Sequence, residues 1–79
     1  MPHIIVKMYP GRSETQKQAL CDRIVADVVE VAQCEASSVS VGIEEISRED
    51  WAKRVYKPDI EGKKETLYKL PGYPPPTLD

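Results

Sequence analysis

A chain of 79 residues with a net charge of −2 and a pI near 5.4 is one small acidic domain, 1–79, without the basic footprint that nucleic acid or an anionic membrane calls for. At this length only about 60% of the unfolded surface is buried, and two cysteines with one histidine supply neither a disulfide framework nor a metal-ligand set. No basic leader precedes an apolar stretch and no apolar run spans a bilayer, so the expectation is a soluble cytoplasmic protein that needs no metal or cofactor and gains its missing core by oligomerising.

In chain order, His3 to Tyr9 reads as a strand. Ile4, Val6 and Met8 fall on one face with Pro2; His3, Ile5, Lys7 and Tyr9 fall on the other. Pro10-Gly11 breaks it, and Ser13-Glu14-Thr15-Gln16 is a capping-box pattern that opens a helix from about Glu14 to Gln33. Leu20, Ile24, Val28, Val31 and Ala32 give that helix one apolar stripe. Cys21 and Cys34, placed on the same helix, stand roughly 20 Å apart, too far to bridge.

Val39 to Ile46 reads as a second strand. Strand, helix, strand is a βαβ unit with parallel strands and a right-handed crossover. The fold class is therefore α+β, with one sheet face left for another subunit. Ser47-Arg48-Glu49-Asp50 starts a second helix that runs through Trp51, Val55 and Tyr56 until Pro58 stops it. Ile60 to about Lys69 has helical spacing weakened by Gly62, and the tail of about 71–79, with Pro71-Gly72-Tyr73-Pro74-Pro75-Pro76, is expected to be extended, packed on a neighbour or loose.

Several pieces stand in a telling order: Pro directly after Met, an Ile/Val strand, Gly-Arg-Ser and Gln-Lys entering a long helix, then Ser-Ser-Val-Ser-Val in a second strand. Together they resemble the 4-oxalocrotonate tautomerase family over roughly Pro2 to Trp51. The stretch from Trp51 through Pro58-Asp59-Ile60 to Leu70-Pro71-Gly72-Tyr73 is similar to its PptA branch of small dimeric tautomerases. The resemblance implies βαβ protomers assembling as dimers, the favoured state, or hexamers. It implies that Pro2 is the catalytic amino-terminal proline, that Arg12 binds the substrate carboxylate and that Trp51 is the aromatic wall of the pocket. Where well-known members carry a second arginine in the second strand, this chain has Ser40, which points away from a doubly anionic substrate.

Each of these residues also has a plain structural reading. Pro2 can be a passive strand-initiating proline. Once Met1 is removed it is instead a terminal secondary amine, with a reference pKa of about 7.7–8.0 that an apolar pocket or a nearby cation lowers toward neutrality. Arg12 can be a solvated arginine, although its charge opposes the adjoining helix dipole; as a ligand, its planar donor pair matches a carboxylate. Trp51 can be a core or interface anchor. Ser40 can be an ordinary strand serine or a donor to substrate, and His3 reads as a strand or interface histidine. Tyr9 or Met8 lines the pocket rim. Glu44 and Glu45 alternate to opposite faces and do not pair.

The leading functional reading is a cofactor-independent keto–enol tautomerase for a small, phenylenolpyruvate-like monocarboxylate. A hydratase or dehalogenase using protonated Pro2 is a second reading, and a non-catalytic dimeric module that binds partners through its Pro-rich tail is a third.

Overall fold

Proline at position 2 removes a ladder donor only where the ladder begins, and strand β1 starts directly after it, over His3–Met8. The structure, a computed structural model, describes residues 1–77; Leu78 and Asp79, the end of the expected tail, lie outside the described residues. It divides into two compact units, Met1–Glu45 and Ile46–Asp79.

In the first unit β1 pairs in parallel with β2, Ser40–Glu45, in a register from His3 opposite Ser40 to Met8 opposite Glu45. The strand is one residue shorter at each end than expected. Val39 instead gives its N–H to the Ala36 carbonyl, 3.1 Å away, closing a 3-10 turn over Ala36–Ser38. At the other end Ile46, only 1% exposed, begins the second unit.

Between the strands runs α1, Glu14–Ala32. Gly11 sits at φ 129°, a conformation open to glycine and strained for other residues, and this turns the chain out of β1. The capping box forms as the sequence indicates: Gln16 N–H donates to Ser13 Oγ at 3.1 Å, and Ser13 N–H donates to Gln16 Oε1 at 2.8 Å. Gln33, in the left-handed conformation, ends the helix with its N–H on the Val29 carbonyl. Cys34 therefore lies beyond the helix rather than on it; both cysteines are unpaired and half-buried.

The inward stripe of α1 is Lys17, Leu20, Cys21, Ile24, Val25, Val28 and Val29, all half-buried. Val31, 80% exposed, and Ala32 do not belong to it, contrary to the expected pattern. The reason is length. Nineteen helical residues span about 28 Å, against about 20 Å for six strand residues, so the last turn overhangs the sheet. Near the other end Lys17 Nζ bonds Glu14 at 2.6 Å and reaches Glu45 at 3.5 Å, tying the helix start to the end of β2. The Glu14 hydrogen bond, aided by both negative charges, holds this ammonium above its ordinary value of 10.5.

In the second unit Ser47 caps a 3-10 turn over Arg48–Asp50, its Oγ accepting the Asp50 N–H at 3.2 Å. A π-type helix follows over Ala52–Glu61, with Pro58 inside it. Pro58 was expected to stop this helix. The stop rule rests on the proline ring meeting the carbonyl four residues back, and the wider i→i+5 turn moves that carbonyl off the ring. The helix closes at Gly62, whose N–H meets the Lys57 carbonyl at 2.9 Å. A Cβ there would lie 2.7 Å from the Pro58 carbonyl oxygen, so the close approach requires glycine.

The expected helix from Ile60 to Lys69 does not form. Only Lys64–Thr66 makes a 3-10 turn, with the Thr66 N–H and hydroxyl both on the Lys63 carbonyl at 2.9 and 2.7 Å, a local alternative to helical pairing. Residues 67–77 carry no regular secondary structure. Among the described residues the buried hydrophobic side chains are Ile46, Ala52 and Val55, all in this second unit.

Candidate active site

The parallel register brings the start of β1 against the start of β2. Ser40 N–H donates to the Pro2 carbonyl at 3.1 Å, which holds Pro2, half-buried, at the sheet edge. The bond uses the carbonyl side of Pro2 and leaves the ring nitrogen outside the ladder. Ahead of it Met1 is fully exposed. His3 and Ser40 face each other in the register, and His3 Nδ1 shares a 2.6 Å hydrogen bond with Ser40 Oγ. Alternation placed His3 on the face opposite Ile4. That it bonds Ser40 was not legible, because the pairing of residues 37 positions apart depends on register alone.

Tyr9 and Arg12 lie at the other end of β1. Arg12 is exposed, and its Nη1 donates to the Tyr9 carbonyl at 3.4 Å, a long and therefore loose tether. Six strand residues separate this end from Pro2, so roughly 20 Å lies between the terminal proline and the arginine of one chain. Pro2 and Ser40 come together within a chain; Pro2 and Arg12 do not.

Trp51 belongs to the second unit, where it precedes the π-type helix. Its indole N–H donates to the Tyr73 hydroxyl at 3.1 Å, and the Tyr73 ring packs against that of Tyr56, with centroids 5.8 Å apart and planes tilted by 54°. Sequence reasoning placed Tyr73 in a proline-rich tail and did not foresee its bond to Trp51. The available signal was an aromatic residue framed by residues that fix the backbone, Pro71 and Pro74.

A shallow concavity of about 260 Å³ opens between α1 and β2, lined by Glu14, Lys17, Gln18, Cys21, Val41 and Ile43. It contains none of the expected site residues, and its cation is already matched by Glu14 and Glu45. No group of three or more His, Cys, Asp or Glu among the described residues is arranged to hold a metal ion. No helix in the described residues is long and apolar enough to cross a membrane.

Residues 2–55 match the family model described as "Tautomerase enzyme". The chain is 49% identical over 73 residues to a protein of Xylella fastidiosa named probable tautomerase, covering 92% of this chain and 89% of that one. It is 40% identical over 74 residues to tautomerase PptA of Cronobacter sakazakii, covering 92% and 97%. Among solved structures it is similar to YwhB, a homologue of 4-oxalocrotonate tautomerase, with a TM-score of 0.60 and 31% identity over 61% of this chain and 79% of that one. TomN, a 4-oxalocrotonate tautomerase homologue in the tomaymycin biosynthetic pathway, matches with a TM-score of 0.61 and 32% identity over 63% and 77%.

Proposed function

Because this chain belongs to the tautomerase family and is an isomerase, we propose that it converts small 2-hydroxy-2-enoic monocarboxylic acids to their 2-keto forms, with Pro2 as acid and base and no cofactor. Removal of Met1, which is fully exposed, turns the Pro2 nitrogen from an amide into a secondary amine. The neutral amine takes the enol hydroxyl proton while the carbonyl forms. The same proton is then delivered to C3 as the carbon–carbon double bond is lost, and the amine returns to its neutral form. A free α-amine with a reference pKa of about 7.7–8.0 is near enough to neutrality to run both steps. The observation that carries this reading is Pro2 itself, anchored through its carbonyl by Ser40 at the point where the family match begins.

Arg12 holds the substrate carboxylate through paired donors and stabilises the enolate-like charge of proton transfer. Within one chain it stands roughly 20 Å of strand away from Pro2, much farther than a substrate of a few carbons reaches. The site therefore draws Pro2 from one copy and Arg12 from another, in a cytoplasmic homodimer or a larger assembly of such dimers. Exposure supports this: the βαβ unit has no buried side chain among its described residues, and Ile5 on its sheet face is 49% exposed. Ser40 is neutral where a second arginine would add a positive charge, and its hydroxyl is bonded to His3, so the site favours one carboxylate over two; Tyr9 lines its rim near Arg12. Trp51 is the aromatic wall for an aryl substituent.

The test is ultraviolet observation of enol loss, comparing an aryl enolpyruvate with an enol dicarboxylate. We expect the protein to accelerate ketonisation of the aryl monoacid and to prefer it. No acceleration over buffer for either acid overturns the reading, and preference for the dicarboxylate overturns the role given to Ser40.

A further inference from the structure

The proline-rich segment was expected to be extended, with partner binding as its one alternative role, yet one of its residues is tied within the chain to the only tryptophan. We propose that Tyr73 is a positioning residue that fixes the indole of Trp51, and through it sets how strongly the enzyme prefers acids with an aryl substituent. The proposal rests on the assignment of Trp51 as the aromatic wall and adds the device that holds this wall in place.

Two separate contacts define the arrangement. The Trp51 indole N–H donates to the Tyr73 hydroxyl at 3.1 Å, across 22 positions of sequence. The ring of Tyr73 is in turn held by Tyr56, at 5.8 Å between centroids and a tilt of 54°, within the range of favourable aromatic pairs. The hydroxyl thus stops the indole from turning over, since a flip about the Cβ–Cγ bond would swing the N–H away from its acceptor. Tyr56 stops the hydroxyl from drifting.

Pro71 stands two residues before Tyr73, and Pro74, Pro75 and Pro76 follow it directly. Fixed φ angles on both sides lower the entropy lost when this segment is ordered, so a tyrosine that is 45% exposed can be kept in place by a few contacts. A wall held in one orientation presents a flat π face before substrate arrives. That benefits an aryl group, which stacks on it, more than an alkyl group, which packs against any apolar surface.

The sole tryptophan makes the test direct, because its indole N–H gives a single cross-peak in a proton–nitrogen correlation spectrum of the ¹⁵N-labelled full chain. Tyr73→Phe keeps the ring on Tyr56 and removes only the acceptor. We expect that cross-peak to move upfield and its solvent exchange to speed up about two- to tenfold, as for loss of one neutral hydrogen bond. KM for an aryl enol acid should rise about two- to fivefold more than KM for an alkyl one, with kcat changing less. Tyr73→Ala, which also loses the Tyr56 contact, should move all three readouts further in the same direction.

An unchanged cross-peak and exchange rate in Tyr73→Phe overturns the proposal. So does a moved cross-peak with an unchanged aryl-to-alkyl KM ratio, when Trp51→Ala does change that ratio; the wall assignment then stands and the positioning role falls. If Trp51→Ala itself leaves the ratio unchanged, the wall assignment fails and the proposal falls with it, so the two failures are told apart.

Discussion

Pro2 and Arg12, the residues proposed to carry the proton and hold the carboxylate, stand at punctuated positions, one behind the initiator methionine and one between a Pro-Gly break and a helix cap. What spacing did not carry is their separation. Both flank one strand, at opposite ends, and the length of that strand is what leads to the proposal that they act from two copies. His3 was half legible: alternation gave its face, and the strand register gave its bond to Ser40. Tyr73 was hidden by its neighbours, whose composition reads as tail. At this scale the prediction concerns Arg12. Arg12→Ala removes a charge-assisted pair of hydrogen bonds to the carboxylate, so kcat/KM should fall about 10- to 100-fold, with a raised KM and a lowered kcat. Steady-state kinetics on an enol monoacid checks both parameters.

Elements followed the sequence where local chemistry decides them. The capping box of α1 formed at Ser13 and Gln16 because both partners sit within one turn. The same locality failed at Pro58, since the rule that proline ends a helix assumes α geometry, and this segment adopts i→i+5 pairing. Gly62 read as a weak helix residue and proved to be the place where the helix closes. Gly62→Ala should force the added methyl against the Pro58 carbonyl and destabilise the protein by about 1–3 kcal/mol, as overpacking does. Urea denaturation at fixed protein concentration measures it; an unchanged midpoint would mean that the turn relaxes freely.

Alkaline stability offers a second test at the level of elements. Lys17 joins α1 to the end of β2, and its partners hold it protonated to a higher pH than in the unfolded chain. A raised folded-state value contributes stability that is fully present below the ordinary 10.5 and is lost as pH climbs through the higher folded value. Thermal midpoints of the wild-type chain should therefore drop through that alkaline window, and those of Lys17→Met should drop less.

For the whole molecule, composition already pointed to a shortage of core, and the structure gives it a location: the βαβ unit has no buried side chain among its described residues, and Ile5 is 49% exposed on the sheet face that carries His3. The sequence does not reveal what would cover it, because isolated strands do not encode the symmetry of an assembly. The proposed sharing of sites between copies predicts complementation. Mixing a chain blocked at Pro2 with Arg12→Ala, after dissociation and reassembly, should restore about a quarter of wild-type activity for a two-site dimer, since half the dimers are mixed and each has one intact site. No restored activity despite demonstrated subunit exchange would place both residues in one copy.

The central claim is that the amine of Pro2 carries the proton, and retention of Met1 tests it most directly. Blocking methionine removal leaves the Pro2 nitrogen as an amide, changes nothing beyond the exposed start of β1, and is verified by intact mass. Ketonisation of an aryl enol acid, followed by ultraviolet absorbance, should then be about 10²- to 10⁴-fold slower than for the processed chain, the range that acid–base catalysis supplies, while circular dichroism and assembly state stay the same. Equal turnover by the two forms would contradict the account and return Pro2 to the part of a strand-initiating proline.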